Sequence, residues 1–167
     1  MLYLKEASLE DVEKEYEFIT NTPKNENGFT NPAAGCSREE FESYILPGFV
    51  NAAKGIGVPE GFVPETELFL WDDEQIVGMF RIRHYLTETL ANGAGHIGYG
   101  IKKEFRGKGY ATEGLKLTIK KAWTIIREDE IYMSVRKDNP ESLKVQLKNG
   151  AYIHHEDEQE FYTRIKK

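Results

Sequence analysis

The sequence carries one cysteine, Cys36, among 167 residues. An internal disulfide is therefore excluded and a reducing compartment is expected. No residue pattern marks an activating partner for this thiol, so it reads as inert. Long apolar runs are also missing: no stretch approaches the roughly 20 residues that a membrane span needs. The opening, MLYLKEASLEDVEKEYEF, meets charge almost at once, unlike a secretory signal. Basic residues are in deficit, 22 Lys and Arg against 28 Asp and Glu, giving a formal charge of −6. That balance argues against a general nucleic-acid surface, because phosphate contacts need a basic face. It leaves room for one local basic pocket and favours a cationic partner. The expectation is a cytoplasmic chain with no nucleic-acid or membrane partner, monomeric or homodimeric.

Repeats, low-complexity tracts and linkers are absent as well, and this length suits one domain spanning residues 1–167. Met1 to Ala7 reads as a strand, followed by Ser8 as the N-cap of a helix carrying Leu9, Val12, Tyr16 and Ile19. Asn21 to Gly35 is a polar, turn-rich loop. Ser37 and Glu40 form a capping box for a second helix, which Pro47 and Gly48 are expected to kink or break. From Glu67 two strands read as a hairpin turning at Asp72, Asp73 and Glu74. A loop or short helical excursion, Leu86 to Gly95, precedes a strand HIGYGI. A helix with apolar positions Ala111, Leu115, Ile119, Ala122, Trp123 and Ile126 extends to about Arg127. The strand IYMSVR follows, then a short helix punctuated by Asn139, Pro140 and Gly150, and AYIHHE and EFYTRI close the chain as a hairpin. Alternating strands and helices indicate one α/β or α+β domain.

The stretch EFRGKGYATEGL sits where a strand gives way to a helix. Gly107 and Gly109 let the backbone approach an anion closely. The first amides of the following helix have no internal acceptor, and the helix dipole favours negative charge there. Arg106, Lys108 and Thr112 add charge and a hydroxyl. The alternative is a glycine turn with a solvated basic rim. Gly93, Gly95 and Gly98 match a dinucleotide fingerprint literally, but a strand follows them where that fingerprint needs a helix. His154 and His155 invite a metal reading. Neighbours on a strand point to opposite faces, so the two are not expected to share an ion, and no metal is expected.

The run GHIGYGIKKEFRGKGYATEGL resembles the acetyl-coenzyme A site of the GNAT superfamily of N-acetyltransferases. Arg106, Gly109 and Ala111 fit its [QR]-x-x-G-x-[GA] pattern. In SVRKDNPESLKVQLKNGA, Asn139 and Ser142 fit the N-x-x-[SA] positions further on. The resemblance runs from about Glu67 to Ala151 and implies a mixed, largely antiparallel sheet flanked by helices, with HIGYGI and IYMSVR splayed apart. It further implies acetyl-coenzyme A as co-substrate. Its pyrophosphate would lie on the amides of Arg106, Gly107, Lys108, Gly109, Tyr110 and Ala111, with Thr112 assisting. Its pantetheine arm would run beside Tyr99, Gly100 and Ile101, with Asn139 and Ser142 touching it from the other side. A backbone amide near Tyr99 would polarise the thioester carbonyl.

Acyl transfer to an amine needs a neutral amine, hence a base or a water chain, and an acid for the departing thiolate. Many members of the resembled family place a tyrosine seven residues beyond the Asn, where this chain has Gln146, which is no acid. Tyr152 or Tyr162 is the expected substitute. His96 is the candidate base, since an imidazole titrates in a useful range; its alternative is a structural histidine at a strand start. His84 and Glu88 are candidates for the acceptor pocket, although alternation puts His84 on the face opposite Arg81 and Arg83. The expected activity is transfer of an acetyl group to a primary amine by direct attack in a ternary complex. A small cationic molecule is the favoured acceptor, and a protein amine is possible. The alternatives are a non-catalytic coenzyme A-binding module and an unrelated phosphate-binding domain.

Overall fold

The computed structural model describes all 167 residues. Strand β1 (Leu2–Glu6) leads to a single 3-10 turn capped by Ser8, whose hydroxyl accepts the Glu10 N–H at 3.2 Å, and then to α1 (Val12–Thr20). The expected loop contains a two-stranded hairpin, β2 (Asn25–Glu26) and β3 (Phe29–Thr30). Ser37 caps α2 (Arg38–Glu40) as expected, its hydroxyl accepting the Glu40 N–H at 3.0 Å. Pro47 does not break the helix. A π turn at Phe41–Ile45 precedes it, and α3 (Leu46–Ala53) carries the axis onward. In that wider turn the Leu46 N–H reaches back to the Phe41 carbonyl, the local adjustment by which helices absorb a missing donor or a bulky ring.

Strands β4 (Glu65–Asp72) and β5 (Gln75–Arg83) form the expected hairpin. Its tip residue Asp73 has φ 53°, in the left-handed region that Asp tolerates better than most residues. A short helix α4 (Glu88–Ala91), capped by Thr87, precedes β6 (Ile97–Ile101). Helix α5 (Tyr110–Ala122) stops before Arg127. The apolar pattern continues because Trp123, Ile125 and Ile126 pack on the core from turns rather than from helix. Strand β7 (Glu130–Arg136), α6 (Pro140–Lys148), β8 (Tyr152–Glu156) and β9 (Glu160–Lys166) complete the chain. No helix is long and apolar enough to cross a membrane.

One antiparallel sheet has the order β1-β4-β5-β6 and a second has β7-β9-β8. Strands β4 and β5 lie between two layers, so both faces are apolar and alternation gives way to continuous hydrophobic runs. Leu68, Leu70, Phe80 and Ile82 belong to the core that includes Leu115 of α5. Phe69, Trp71 and Met79 pack with Phe18, Ile19, Phe41 and Leu46 on the other face. Each such side chain contributes roughly 1.5–3 kcal/mol by leaving water. These layers, more than any capping bond, hold the strands that frame the site.

Candidate active site

The two sheets touch at one place and then part. Gly95 bridges Met133, and the His96 N–H donates to the Tyr132 carbonyl at 2.7 Å. Only glycine fits there. Gly95 has φ 69°, and a Cβ would lie 2.2 Å from the Tyr132 carbonyl oxygen. Beyond that contact β6 pairs with β5 along one edge and with no neighbouring strand along the other. Strands β6 and β7 frame a cleft of about 710 Å³. An unpaired strand edge presents free N–H and C=O groups to whatever enters beside it.

At the open end of β6 the chain makes a 3-10 turn (Lys103–Phe105) and runs through Gly107 and Gly109 into α5. Their φ angles are 79° and 84°, and a Cβ on either would meet nothing within 4 Å. The conformation, not crowding, therefore selects glycine here. Gly109 is the N-cap and makes no side-chain cap, so the first amides of α5 stay open toward the cleft. Arg106, Gly107, Gly109, Tyr110, Ala111 and Thr112 all line it; Lys108 does not, and its ammonium lies 5.7 Å from the Phe105 ring centroid. Arg106 donates through Nε to the Ile101 carbonyl at 3.0 Å and through Nη2 to Glu26 of the β2–β3 hairpin at 2.7 Å.

The opposite wall comes from α6. Asn139 caps that helix by accepting the Ser142 N–H at 3.3 Å, and both residues line the cleft. The Ser142 hydroxyl is 2.6 Å from the Tyr99 hydroxyl. Tyr99 projects from β6 and stacks on Phe80 with ring centroids 5.4 Å apart. Burial pushes its phenol pKa up, while the bonds to Ser142 and Gln146 oppose that shift. Gln146 is fully buried and accepts the Thr163 hydroxyl at 2.6 Å. It is a polar strut of the core, and the Tyr99 hydroxyl sits beside it.

Several expected residues lie elsewhere. His96 is fully buried and outside the cleft lining. Its Nδ1 accepts the Tyr132 N–H at 2.9 Å, so the ring proton sits on Nε2, which faces Glu128 Oε1 at 2.9 Å. Neither nitrogen keeps a lone pair for a substrate, and burial lowers its pKa despite Glu128. The base reading is corrected to a structural one. Tyr152 also lies off the cleft and donates to Glu130 at 2.6 Å, a bond that raises its pKa. Tyr162 donates to Asp157 at 2.6 Å and is pushed up to about 12. Neither phenol reaches the cleft, so the acid reading is corrected for both. His84 sits 2.8 Å from the Thr66 hydroxyl and Glu88 is exposed on α4; neither lines the cleft, so the acceptor-pocket reading of both is corrected too.

The reasoning about His154 and His155 also fails. The β8–β9 register shifts between Ile153 and His155, and this bulge turns the two Nδ1 atoms to within 2.9 Å of each other. His155 also stacks on Tyr162, and no group of three or more potential ligands forms.

The remaining wall of the cleft is built by the β2–β3 hairpin and β5, and not by the acceptor-pocket candidates His84 and Glu88. Phe29 covers Gly98 and Gly100 of β6: a Cβ on Gly100 would lie 3.3 Å from its ring. Beneath the hairpin, Arg81 donates to Glu67 at 2.7 Å and to the Thr30 carbonyl at 3.1 Å, with its guanidinium 4.9 Å from the Phe29 ring centroid. Arg81 and Arg83 both line the cleft. Their common face is legible from alternation, and the hairpin over them carries one local signal, the Asn27-Gly28 turn, whose φ angles are 53° and 94°.

Residues 2–152 match the acetyltransferase (GNAT) domain family. The fold is shared with several solved structures. The N-acetyltransferase PseH of Campylobacter jejuni, solved with acetyl coenzyme A, is 17% identical with TM-score 0.63, covering 100% of this chain and 99% of that one. A ribosomal-protein alanine acetyltransferase from Vibrio fischeri is 18% identical with TM-score 0.67, over 99% and 92%. A spermidine N-acetyltransferase chimera from Vibrio cholerae and hSSAT is 16% identical with TM-score 0.65, over 99% and 95%. No curated protein sequence matches the chain.

Proposed function

The chain belongs to the GNAT acetyltransferase family, and on that premise we propose that it moves the acetyl group of acetyl-coenzyme A onto a primary amine by direct attack within the β6–β7 cleft. The observation that carries this reading is continuity. One cleft joins an open helix N-terminus with two left-handed glycines, the unpaired edge of β6 and the arginines Arg81 and Arg83 beside the β2–β3 hairpin. The amides from Gly107 to Thr112 hold the pyrophosphate, where the helix dipole and free N–H groups favour an anion. The edge of β6 at Tyr99, Gly100 and Ile101 pairs with the pantetheine amides, and a β6 amide stabilises the negative oxygen that forms during attack. Asn139 and Ser142 close the far wall.

The acid is Tyr99. Its hydroxyl stands beside Gln146, which occupies the position of the family's usual tyrosine, so a phenol reaches that region from the strand rather than from the helix. The raised pKa keeps the phenol protonated at neutral pH, ready to give its proton to the departing thiolate. The amine proton leaves to solvent water, since His96 has no free nitrogen. The alternative of a non-catalytic coenzyme A module rests on Gln146, and the Tyr99 phenol beside that position favours turnover over it.

Mixing the protein with acetyl-coenzyme A and a panel of amines, while following free thiol and the acetylated product by mass spectrometry, tests the reading. Amine-dependent thiol release with matching product supports it. Coenzyme binding without product for any amine refutes it.

A further inference from the structure

The acceptor end of the cleft holds a cation, Arg83, that forms no salt bridge with any carboxylate of the protein. Arg83 makes one hydrogen bond from its side chain, Nη1 to the Gly95 carbonyl at 3.3 Å, and no salt bridge. Two carboxylates stand across the hairpin in register with the arginine pair, Glu65 opposite Arg83 and Glu67 opposite Arg81. Both turn to Arg81, Glu67 at 2.7 Å and Glu65 at 3.6 Å from its Nε. Arg81 is thereby neutralised and locked, with further bonds to Thr30, while Arg83 keeps most of its five donors uncommitted. Phe29, Ala94 and Ile97 line the same cleft. Leaving a half-buried guanidinium without a direct partner beside another is costly; burial, followed by the charge of Arg81, weakens its hold on its own proton, and the nearby charges of Glu65 and Glu67 only partly oppose this.

We infer that Arg83 binds a carboxylate of the acceptor, so that the molecule acetylated is a primary amine that also carries a carboxylate. This rests on the acetyl-transfer reading and gives its acceptor a chemical class. It also reverses the cationic acceptor that the overall charge of −6 suggests, because the charge left without a direct partner at this end of the cleft is positive. A planar guanidinium fork suits bidentate carboxylate recognition. The guanidinium is held at the Gly95 carbonyl, at the end of the cleft where the two sheets meet and four residues before Tyr99. Two sources present this chemistry, a free amino acid and an acidic residue near a peptide N-terminus, and the arms of the test separate them.

The test compares free amino acids with their amides, dipeptide amides with Asp or Asn in second place, and spermidine. The readouts are thiol release and calorimetric binding to the protein–coenzyme A complex, in wild type, Arg83→Met and Arg83→Lys. In one arm or the other, the carboxylate form is expected to exceed its neutral partner by about 10–100-fold in kcat/KM, the scale of a charge-assisted bond. Whichever arm shows the preference identifies the source. Arg83→Met should abolish the preference and leave the KM for acetyl-coenzyme A unchanged, and Arg83→Lys should restore part of it. Unchanged coenzyme binding shows that the variants are folded. Equal turnover of acid and amide, preference for spermidine, or a preference that survives Arg83→Met overturns the inference while acetyl transfer stands. If no amine turns over, acetyl transfer fails, and calorimetry decides alone: Arg83-dependent binding of the carboxylate amines supports the inference, and no binding overturns it.

Discussion

Replacing Gly109 with valine separates the cradle from the fold. Gly109 has φ 84°, and nothing lies within 4 Å of where its Cβ would be. The substitution therefore meets no protein atom, and its cost to folding is backbone strain, roughly 1–3 kcal/mol for a side chain held in the left-handed region. Typical domains are stable by about 5–15 kcal/mol, so the variant should remain folded with a lowered melting temperature. Its effect on the coenzyme should be much larger. The branched side chain occupies space that the pyrophosphate must approach, and relaxing φ would re-aim the first amides of α5. Loss of two charge-assisted bonds at about 1.5–3 kcal/mol each amounts to about 10²–10⁴-fold in Kd. Gly35 supplies the control: it has φ 74°, has nothing within 4 Å of its Cβ, and lies outside the cleft. Gly35→Val should lower the melting temperature similarly and leave coenzyme binding intact. Thermal melts paired with calorimetric titration of coenzyme A read both effects. Equal affinity in Gly109→Val and Gly35→Val would refute the cradle.

Tyr99→Phe keeps the stack on Phe80 and removes only the hydroxyl; kcat should fall by about 10²–10⁴ with the KM for acetyl-coenzyme A within a few-fold, and unchanged kcat would leave Tyr99 a purely structural residue. Because both His96 nitrogens are engaged, kcat/KM should keep rising with pH through the acceptor amine's own pKa. A plateau set by a group titrating near about 6.5 would contradict that. Buried Glu15, raised by burial from 4.5 to about 7, gives a stability prediction. The folded state holds this proton more tightly than the unfolded chain, so stability should fall as pH rises from 4.5 to 7 and stay lower above it. Glu15→Gln, which keeps an acceptor for the Ser8 N–H, should flatten this slope and add at most about 3 kcal/mol at pH 8, read by urea unfolding across the range.

What could be read from the sequence was what short segments decide for themselves. Ser8, Ser37 and Asn139 cap their helices because a side-chain oxygen finds an amide two or three residues on, and Gly107 and Gly109 announce left-handed backbone at a helix start. The β2–β3 hairpin has a turn signal in Asn27-Gly28, but its two-residue strands are too short to show alternation, and its packing is set from afar. Phe29 packs on Gly98 and Gly100, and Thr30 receives Arg81, all partners distant in sequence. Alternation put Tyr99 opposite those glycines, but only packing brings α6, and with it Ser142 and Gln146, to its hydroxyl. Between the base and the structural histidine, sequence could not choose for a similar reason: Glu128 and the Tyr132 amide, which engage both His96 nitrogens, come from beyond α5. A bulge, likewise invisible in sequence, defeated the strict alternation assumed for His154 and His155.

A crystal structure of the protein with coenzyme A tests the central claim most directly. The pyrophosphate should lie on the amides between Gly107 and Thr112, the pantetheine arm along the free edge of β6, and the sulfur within hydrogen-bond reach of the Tyr99 hydroxyl. Coenzyme A bound outside the β6–β7 cleft, or with its sulfur remote from Tyr99, would contradict the account.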